Sequence, residues 1–375
     1  TRRRLGGRAT SFTDPRTGET LDNCQHVAMG CCVNYLDFCA RLGVADLLRW
    51  TDDLRFVEAG GRESVIRPGL LPAPAHAAPS FLRAAFLTAR EKSVIAGALL
   101  AVLRADRAAW RTRTFDAFLR EHRQPARAVE KFWAPVVVGA CNLGVERVAA
   151  SVALQVFQEG FLANARASRI AVPSVPLVRL YDPAERAIRD AAGSVMLGAS
   201  VVHVNERSVM LASGESISAG RVVLAVPPER VGGLVDPALA QRDPRLPALA
   251  SVEHSPILGV HLTLDRPVMD HPHSALVARA THWVFNKGTT DDGGQRLHAV
   301  VSAAEAWMPL PEPDIVRRVM DDVRACFPRA RGAQVLHARA VKEKRATFAA
   351  TPRFEAFRPP QAGDASSLLL AGDYT

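Results

Sequence analysis

The order of apolar and polar residues changes several times along this chain, and each change predicts a different kind of element. Residues 34–50 repeat apolar positions at helical spacing, which predicts a helix. Residues 54–67 instead alternate around a Gly60–Gly61 turn, which predicts a β-hairpin. A stretch with four prolines, residues 68–79, then shows little periodicity and predicts a boundary between structural units.

A long helical region is predicted from residue 79 to about residue 167, where broad apolar faces recur. Thr114 stands before one of these segments and is a candidate N-cap, because its hydroxyl oxygen can accept a bond from a free backbone N–H. The excess of Phe, Leu and Val is typical of a bundle core. It suits a lid or channel for a long hydrocarbon equally well, and the sequence leaves both interpretations open.

Strand patterns dominate the rest of the chain. The predicted strands are 201–204, 222–226, 257–264, 282–286, 298–302 and 368–370. A helix with apolar residues on one face is predicted between the strands at 298–302 and 368–370, and Asp314 is its candidate cap. These patterns predict an α/β protein with a mixed sheet and helices. A length of 375 residues favours two domains over one.

Charge and cysteine usage exclude some classes of protein. The net charge is +9, but the 47 basic residues are scattered, so no nucleic-acid-binding stripe is present. A basic surface still allows docking on anionic lipid. The six cysteines lack the spacing of a zinc site, and no metal site is predicted. We therefore expect a cytoplasmic protein in a reducing compartment, with contact at the inner membrane face as an open extension.

Glycines flanked by arginines near the start of the chain are the most informative motif. The segment reads Arg2-Arg3-Arg4-Leu5-Gly6-Gly7-Arg8-Ala9, and Asp22-Asn23-Cys24-Gln25-His26 follows about a dozen residues later. Glycines let a backbone approach a ligand closely, and arginine forks suit a diphosphate. A surface arginine cluster beside a Gly-Gly turn explains the first segment as well, and short motifs alone do not decide between the two.

These segments resemble the FAD-dependent amine oxidase and phytoene desaturase superfamily, and within it the squalene-associated FAD-dependent desaturases, or hydroxysqualene dehydroxylases. Val222–Pro228, Glu343–Phe348 and the closing Ala371-Gly372-Asp373 add to the resemblance. It implies FAD as cofactor and places its contacts on Arg2, Gly6, Gly7, Arg8, Ala9, Gln25, His26, Val201, Gly372 and Asp373. Cys24 departs from the family, where glycine is common.

The resemblance also implies a domain plan. A discontinuous Rossmann-like FAD-binding domain would comprise residues 1–70, 168–240 and 343–375. An α+β substrate-binding domain would comprise residues 71–167 and 241–342. No G-x-G-x-x-G fingerprint occurs. We therefore expect the chain to be a fragment, truncated at both ends, whose first βαβ unit precedes residue 1.

The reaction that the resemblance implies is the reductive dehydroxylation of hydroxysqualene to squalene, with a long apolar isoprenoid as the partner molecule. A carotenoid or phytoene desaturase, or an amine-oxidase-like flavoenzyme, would use the same FAD contacts. A non-catalytic isoprenoid-binding protein that has lost its flavin is a further alternative. No residue stands out as the catalytic acid, and the oligomeric state stays open.

Overall fold

A computed structural model describes residues 3–363 and 367–375. The strands, β1 to β17 in chain order, are Ser11–Thr13, Thr20–Asp22, Ala28–Met29, Leu48–Thr51, Leu54–Val57, Glu63–Ile66, Ile170–Pro173, Val201–Val204, Ser208–Leu211, Ser216–Ser218, Val222–Leu224, His254–Leu264, His273–Leu276, Trp283–Thr289, Gln295–Val301, Val335–Phe348 and Leu368–Leu370.

The α-helices, α1 to α13 in chain order, are Val33–Arg41, Ala78–Arg83, Ala89–Arg104, Phe115–Glu121, Ala126–Ala128, Ala134–Cys141, Ala150–Gln155, Pro183–Asp190, Pro228–Val231, Pro237–Arg242, Arg245–Leu249, Glu312–Cys326 and Pro352–Phe357. Within the described residues no helix is both long enough and apolar enough to cross a bilayer.

A seven-stranded mixed sheet forms the centre of the molecule, in the order β16-β12-β15-β14-β13-β5-β6. Helices α2 to α7 pack on one side, where Phe56 and Val277 of the sheet layer join a core with Phe115 and Trp133. Helix α12 covers the other side through residues such as Ile315. The predicted hairpin is confirmed, since β5 and β6 pair antiparallel.

A second unit gathers around the parallel pair of β11 and β17, in which Val222 pairs with Leu368 and Leu224 with Leu370. Its core also includes Val231 and Leu249 from the short helices after β11. The antiparallel pair β1–β2 and the sheets β3-β7-β4 and β10-β9-β8 complete the fold. This combination of sheets and helices is the mixed α/β architecture that the sequence predicted.

Local capping decides several helix boundaries. Thr114 caps α4 as predicted, because its hydroxyl accepts the backbone N–H of Ala117. The helix predicted over residues 34–50 ends at Arg41, where Gly43 adopts φ +68° and closes the last turn in left-handed conformation. The cap predicted at Asp314 was wrong, because α12 begins two residues earlier, after Pro311.

The central sheet crosses the domain boundaries that the sequence predicted. Strands β5 and β6 lie before residue 70, yet β5 pairs in parallel with β13 of the predicted substrate-binding segment. Strand β16 likewise continues past residue 343 while paired with β12. The division into two domains stays a prediction, and the sheet physically links its parts.

Candidate functional site

The Gly6–Gly7 turn has a backbone that other residues adopt only with strain, with φ of +98° and +58°. A Cβ at Gly6 would lie 2.5 Å from the carbonyl oxygen of Ala9 and 3.0 Å from the Tyr181 ring. The Ala9 N–H closes the turn by donating to the Gly6 carbonyl at 3.0 Å. Glycine is therefore required at position 6, where the Ala9 carbonyl and the Tyr181 ring leave no space for a side chain.

Arg8 connects this turn to the end of the chain. Its Nη2 lies 2.7 Å from Asp373 Oδ2, and its Nη1 donates to the Ala346 carbonyl at 2.8 Å. Both side chains of the ion pair are about one-third exposed, at 33% and 34%. Two residues that the resemblance assigned to the cofactor therefore meet directly, and the guanidinium stays accessible to solvent.

The ion pair lies just beyond the carboxyl ends of the parallel strands β11 and β17. The Ala371 N–H donates to the Leu224 carbonyl at 3.1 Å, which fixes the exit of β17. A Cβ at Gly372 would lie 2.6 Å from the Tyr374 ring, so the chain turns there only with glycine. In open α/β sheets, ligands bind beyond the carboxyl ends of parallel strands.

Asp22 anchors the second motif and is not available for chemistry. Its Oδ1 accepts from the Ser11 hydroxyl at 2.7 Å and from the Leu177 N–H at 2.8 Å. Its backbone carbonyl accepts from His261 Nε2 at 2.8 Å. These bonds satisfy a buried carboxylate and hold the following residues in place.

Gln25 and His26 follow this anchor and border a cavity. Lys287 Nζ donates to Gln25 Oε1 at 3.2 Å and lies 3.8 Å from Asp22 Oδ2. Burial lowers the pKa of Lys287, and the nearby Asp22 charge opposes that shift. His26 Nδ1 donates to the Cys24 carbonyl at 3.2 Å, and burial lowers the pKa of its ring. This shift in pKa favours the neutral form of His26.

The cavity has a volume of about 600 Å³ and lies between the helical layer and the central sheet. Its wall is mostly apolar and includes Met29, Leu54, Phe56, Pro135, Val136, Val152, Val156, Phe161, Ile170, Ile257, Trp283, Phe285 and Val300. Helix α7 continues into the π-helical segment Val156–Leu162, which supplies part of this wall. π-Helical turns of this kind are frequent at functional sites. A long apolar ligand therefore has room beside Gln25 and His26.

The remaining candidate residues fall into three groups. Val201 begins β8 and packs against the core cluster of β11 and β17, in the same unit as Asp373. Gly7 and Ala9 lie in the turn with Arg8, whereas Arg2 lies outside the described residues. The assignment of all these residues to FAD stays a prediction.

Sequence reasoning missed three residues of the sheet that border the site, namely His273, Trp283 and Lys287. Trp283, Phe285 and Lys287 alternate along β14 and so share one face of the sheet. That alternation was present in the sequence. It did not show which face would meet the Asp22–His26 segment, because the partner lies about 260 residues away, as the separation of 262 between Gln25 and Lys287 shows.

These residues fit a flavin dinucleotide. The Gly6–Gly7 turn carries no side chains of its own, Arg8 brings a guanidinium to it, and both lie at parallel strand ends beside an apolar cavity. This is the arrangement of a dinucleotide-dependent oxidoreductase. A family model described as flavin containing amine oxidoreductase matches residues 1–375, so the chain belongs to that family. The protein is an FAD-dependent oxidoreductase.

Curated relatives with two different activities resemble the chain. Hydroxysqualene dehydroxylase of Sinorhizobium fredii is 26% identical over 250 residues, which cover 64% of this chain and 55% of that protein. 15-cis-Phytoene desaturase of Synechococcus elongatus is 23% identical over 410 aligned positions, which cover 99% of this chain and 84% of the desaturase. The chain thus spans about half the length of the first relative.

Solved structures share the fold at low sequence identity. An oxidoreductase from Methanosarcina mazei superposes with a TM-score of 0.71 at 16% identity, covering 99% of this chain and 88% of that one. Putrescine oxidase bound to putrescine gives a TM-score of 0.68 at 15% identity, with 99% and 86% covered. The predicted fold class is confirmed as that of FAD-dependent amine oxidases.

Proposed function

We propose that this flavoenzyme reductively removes the hydroxyl group of hydroxysqualene to give squalene. The observation that carries the proposal is the cavity of about 600 Å³ with an apolar wall that ends at Gln25 and His26. A C30 isoprenoid offers almost no hydrogen-bonding groups, so apolar burial at about 25 cal/mol per Å² must supply its affinity. Hydroxysqualene dehydroxylases are among the relatives, at 26% identity.

The cofactor would lie against the Gly6–Gly7 turn, with Arg8 at its diphosphate and Gln25 and His26 toward the cavity. The chemistry that reduced FAD would supply there is a hydride for the carbon that loses its hydroxyl group, which would leave as water with a proton from solvent. The chain's own contribution is to exclude water with the apolar wall and to hold Gln25 through Lys287. Because the Nδ1–H of His26 is used on the Cys24 carbonyl, the neutral ring offers the site the Nε2 lone pair without adding charge.

A phytoene or carotenoid desaturase is the second candidate function. It is favoured by alignment length, because two phytoene desaturases align with 99% of this chain whereas the first dehydroxylase aligns with 64%. The mostly apolar wall would suit either lipid, because both are long and apolar. Desaturation would move the hydride in the opposite direction and would need an electron acceptor.

We also propose that the substrate reaches the cavity from an anionic membrane surface. Leu70, Leu71 and Leu82 are exposed on one side of the helical layer. Next to them, an open groove of about 830 Å³ includes Arg67, Arg83, Arg166 and Arg169. Exposed leucines beside arginines suit a bilayer, with the leucines among acyl chains and the arginines at anionic headgroups.

The charges in this groove support an anionic partner. Arg169 pairs with Asp52 at 2.8 Å, and Arg67 lies 3.8 Å from Asp53. Arg83 and Arg166 form no ion pair with a described residue, so the groove keeps two unneutralised positive charges. The groove and the cavity share walls, because Asp53 faces the groove and its neighbour Leu54 faces the cavity.

Product analysis tests the proposed reaction. The FAD-loaded protein would be incubated with hydroxysqualene and a chemical reductant, and separately with phytoene and a quinone acceptor, and the lipids analysed by mass spectrometry. Squalene in the first incubation supports the dehydroxylase. Desaturated phytoene in the second, with no squalene in the first, overturns it in favour of the desaturase. Flavin-free protein is the control for chemistry in the absence of the cofactor.

A further inference from the structure

His273, in strand β13, is a buried histidine on the wall of the apolar cavity. Its Nε2 lies 3.1 Å from the backbone carbonyl oxygen of Asp53. A carbonyl oxygen only accepts hydrogen bonds, so Nε2 must carry the hydrogen. Burial lowers the pKa of the ring, which keeps it neutral at pH 7. The other ring nitrogen, Nδ1, therefore presents a lone pair.

That lone pair has no partner within the described part of the chain. His273 is 1% exposed, and its Nδ1 is buried without a hydrogen bond. The aromatic rings of Trp283 and Phe285 stand beside it, at centroid distances of 5.9 Å and 6.1 Å. An unpartnered acceptor is unfavourable in such a place, because a buried polar group without a hydrogen bond costs stability.

Trp283 offers the complementary group. Its indole Nε1–H forms no hydrogen bond with any described residue, and Trp283 lines the same cavity. On the opposite wall, Gly139 of helix α6 leaves this N–H uncovered, since a Cβ there would lie 3.1 Å from Nε1. His273 and Trp283 thus bring an acceptor and a donor, each without a partner among the described residues, to adjacent strands of a mostly apolar wall.

We propose that His273 and Trp283 form a binding site for a hydroxyl group on the lipid in the cavity. A hydroxyl is both donor and acceptor, so its hydrogen bonds His273 Nδ1 while its oxygen accepts from Trp283 Nε1–H. The two side chains are diagonal neighbours on one face of the sheet, with ring centroids 5.9 Å apart. A hydrocarbon leaves both groups unpaired.

This site makes the cavity selective for a lipid alcohol over the hydrocarbon of the same length. The inference rests on the proposed function in one respect, namely that the alcohol of interest is hydroxysqualene. The site holds the hydroxyl group and does not protonate it, because neutral His273 with an empty Nδ1 is not an acid. His273 and Trp283 are thus specificity-determining residues of the cavity.

Equilibrium binding of isotopically labelled hydroxysqualene and squalene, in detergent micelles, tests the site. The oxidised FAD-loaded protein is used without reductant, so no turnover occurs. We expect tighter binding of hydroxysqualene by the unmodified protein. W283F and H273Q should each reduce that preference by about 3- to 10-fold while squalene affinity stays the same. G139A should also reduce the preference for hydroxysqualene, because the added methyl group would lie beside the indole N–H.

Two substitutions at position 273 separate ligand recognition from a structural role. In H273Q the amide can keep the bond to the Asp53 carbonyl but loses the Nδ1 acceptor. In H273N an amide oxygen can replace Nδ1, and the bond to Asp53 is lost. Recognition predicts that H273N retains the preference and H273Q loses it. The reverse order, or equal binding of both lipids by the unmodified protein, overturns the proposal.

The binding experiment and the product analysis test the hydroxyl site and the proposed reaction separately. If squalene forms from hydroxysqualene but the protein binds both lipids equally, the hydroxyl site is wrong and the proposed reaction stands. If the binding preference depends on His273 and Trp283 but no squalene forms, the site stands and the proposed reaction is wrong.

Discussion

Arg8 and Asp373 are separated by 365 positions and form an ion pair with an Nη2–Oδ2 distance of 2.7 Å. The contact exists because β17 pairs in parallel with β11 and delivers Asp373 to the Gly6–Gly7 turn. The ends of the described chain therefore build one site. Each resembles a cofactor motif by itself, and their meeting is what supports a common ligand.

Replacing Arg8 with alanine should weaken FAD binding by about 10-fold or more, because a hydrogen bond from a charged donor contributes about 1.5–3 kcal/mol. Stability without FAD should change by less than about 1 kcal/mol, since the Arg8–Asp373 pair is partly exposed. Flavin fluorescence titration measures the affinity. Arg16→Ala, which removes a surface ion pair to Glu312, is the matched control. Equal FAD affinity in both variants would contradict the phosphate assignment.

Gly6→Ala should destabilise the protein by roughly 1–3 kcal/mol, because the new Cβ would meet the Ala9 carbonyl in a backbone of φ +98°. Gly7→Ala is the control. It should cost only about 1 kcal/mol, from the left-handed backbone conformation, because nothing lies within 4 Å of a Cβ at Gly7. Urea unfolding of the FAD-free protein measures both changes, and a larger loss at Gly7 would refute the packing described.

Cys32 should be the most reactive thiol. A hydrogen bond with Cys31 lowers the pKa of Cys32 to about 6, and Cys32 is exposed. Burial raises the pKa of Cys24 to about 12, so that thiol stays protonated. Alkylation of Cys32 by iodoacetamide should therefore accelerate as pH rises through about 6 and then level off.

Peptide mass spectrometry after short labelling at pH 7 distinguishes the sites. Cys31→Ser should slow labelling of Cys32, because it weakens the interaction that lowers the pKa. Cys32 also lines the cavity, so bound lipid should protect it. Labelling of Cys24 at the rate of Cys32 would show that the two environments are misassigned.

Binding to anionic vesicles should depend on the exposed leucines. L70S combined with L82S should reduce sedimentation with phosphatidylglycerol vesicles by several-fold, because each side chain would lose about 1.5–3 kcal/mol of apolar burial. Leu336→Ser is the control, since Leu336 is exposed to nearly the same fraction as Leu82, 60% against 63%, but lies on β16. Neutral phosphatidylcholine vesicles should bind more weakly. Identical sedimentation of all three proteins would rule out this surface.

Local sequence patterns predicted the structure correctly where a residue's conformation depends on its neighbours in sequence. The β5–β6 hairpin, the Thr114 cap and the strand before Pro227 depend on alternation or on one side chain, and all three are confirmed. The helix over residues 34–50 was overestimated, because apolar spacing continues past Gly43 while the backbone there turns left-handed.

Short-range spacing of residues encodes the glycine–arginine motif, the helical region and the strands, so these could be predicted before the fold was known. The fold was needed to show that Arg8 meets Asp373, that Lys287 reaches Gln25, and that His273 and Trp283 line one cavity. These contacts depend on strand order and register, since a strand's alternation gives two faces but not their neighbours. Pairing between strands that are distant in sequence determines which face of each strand lies at the site.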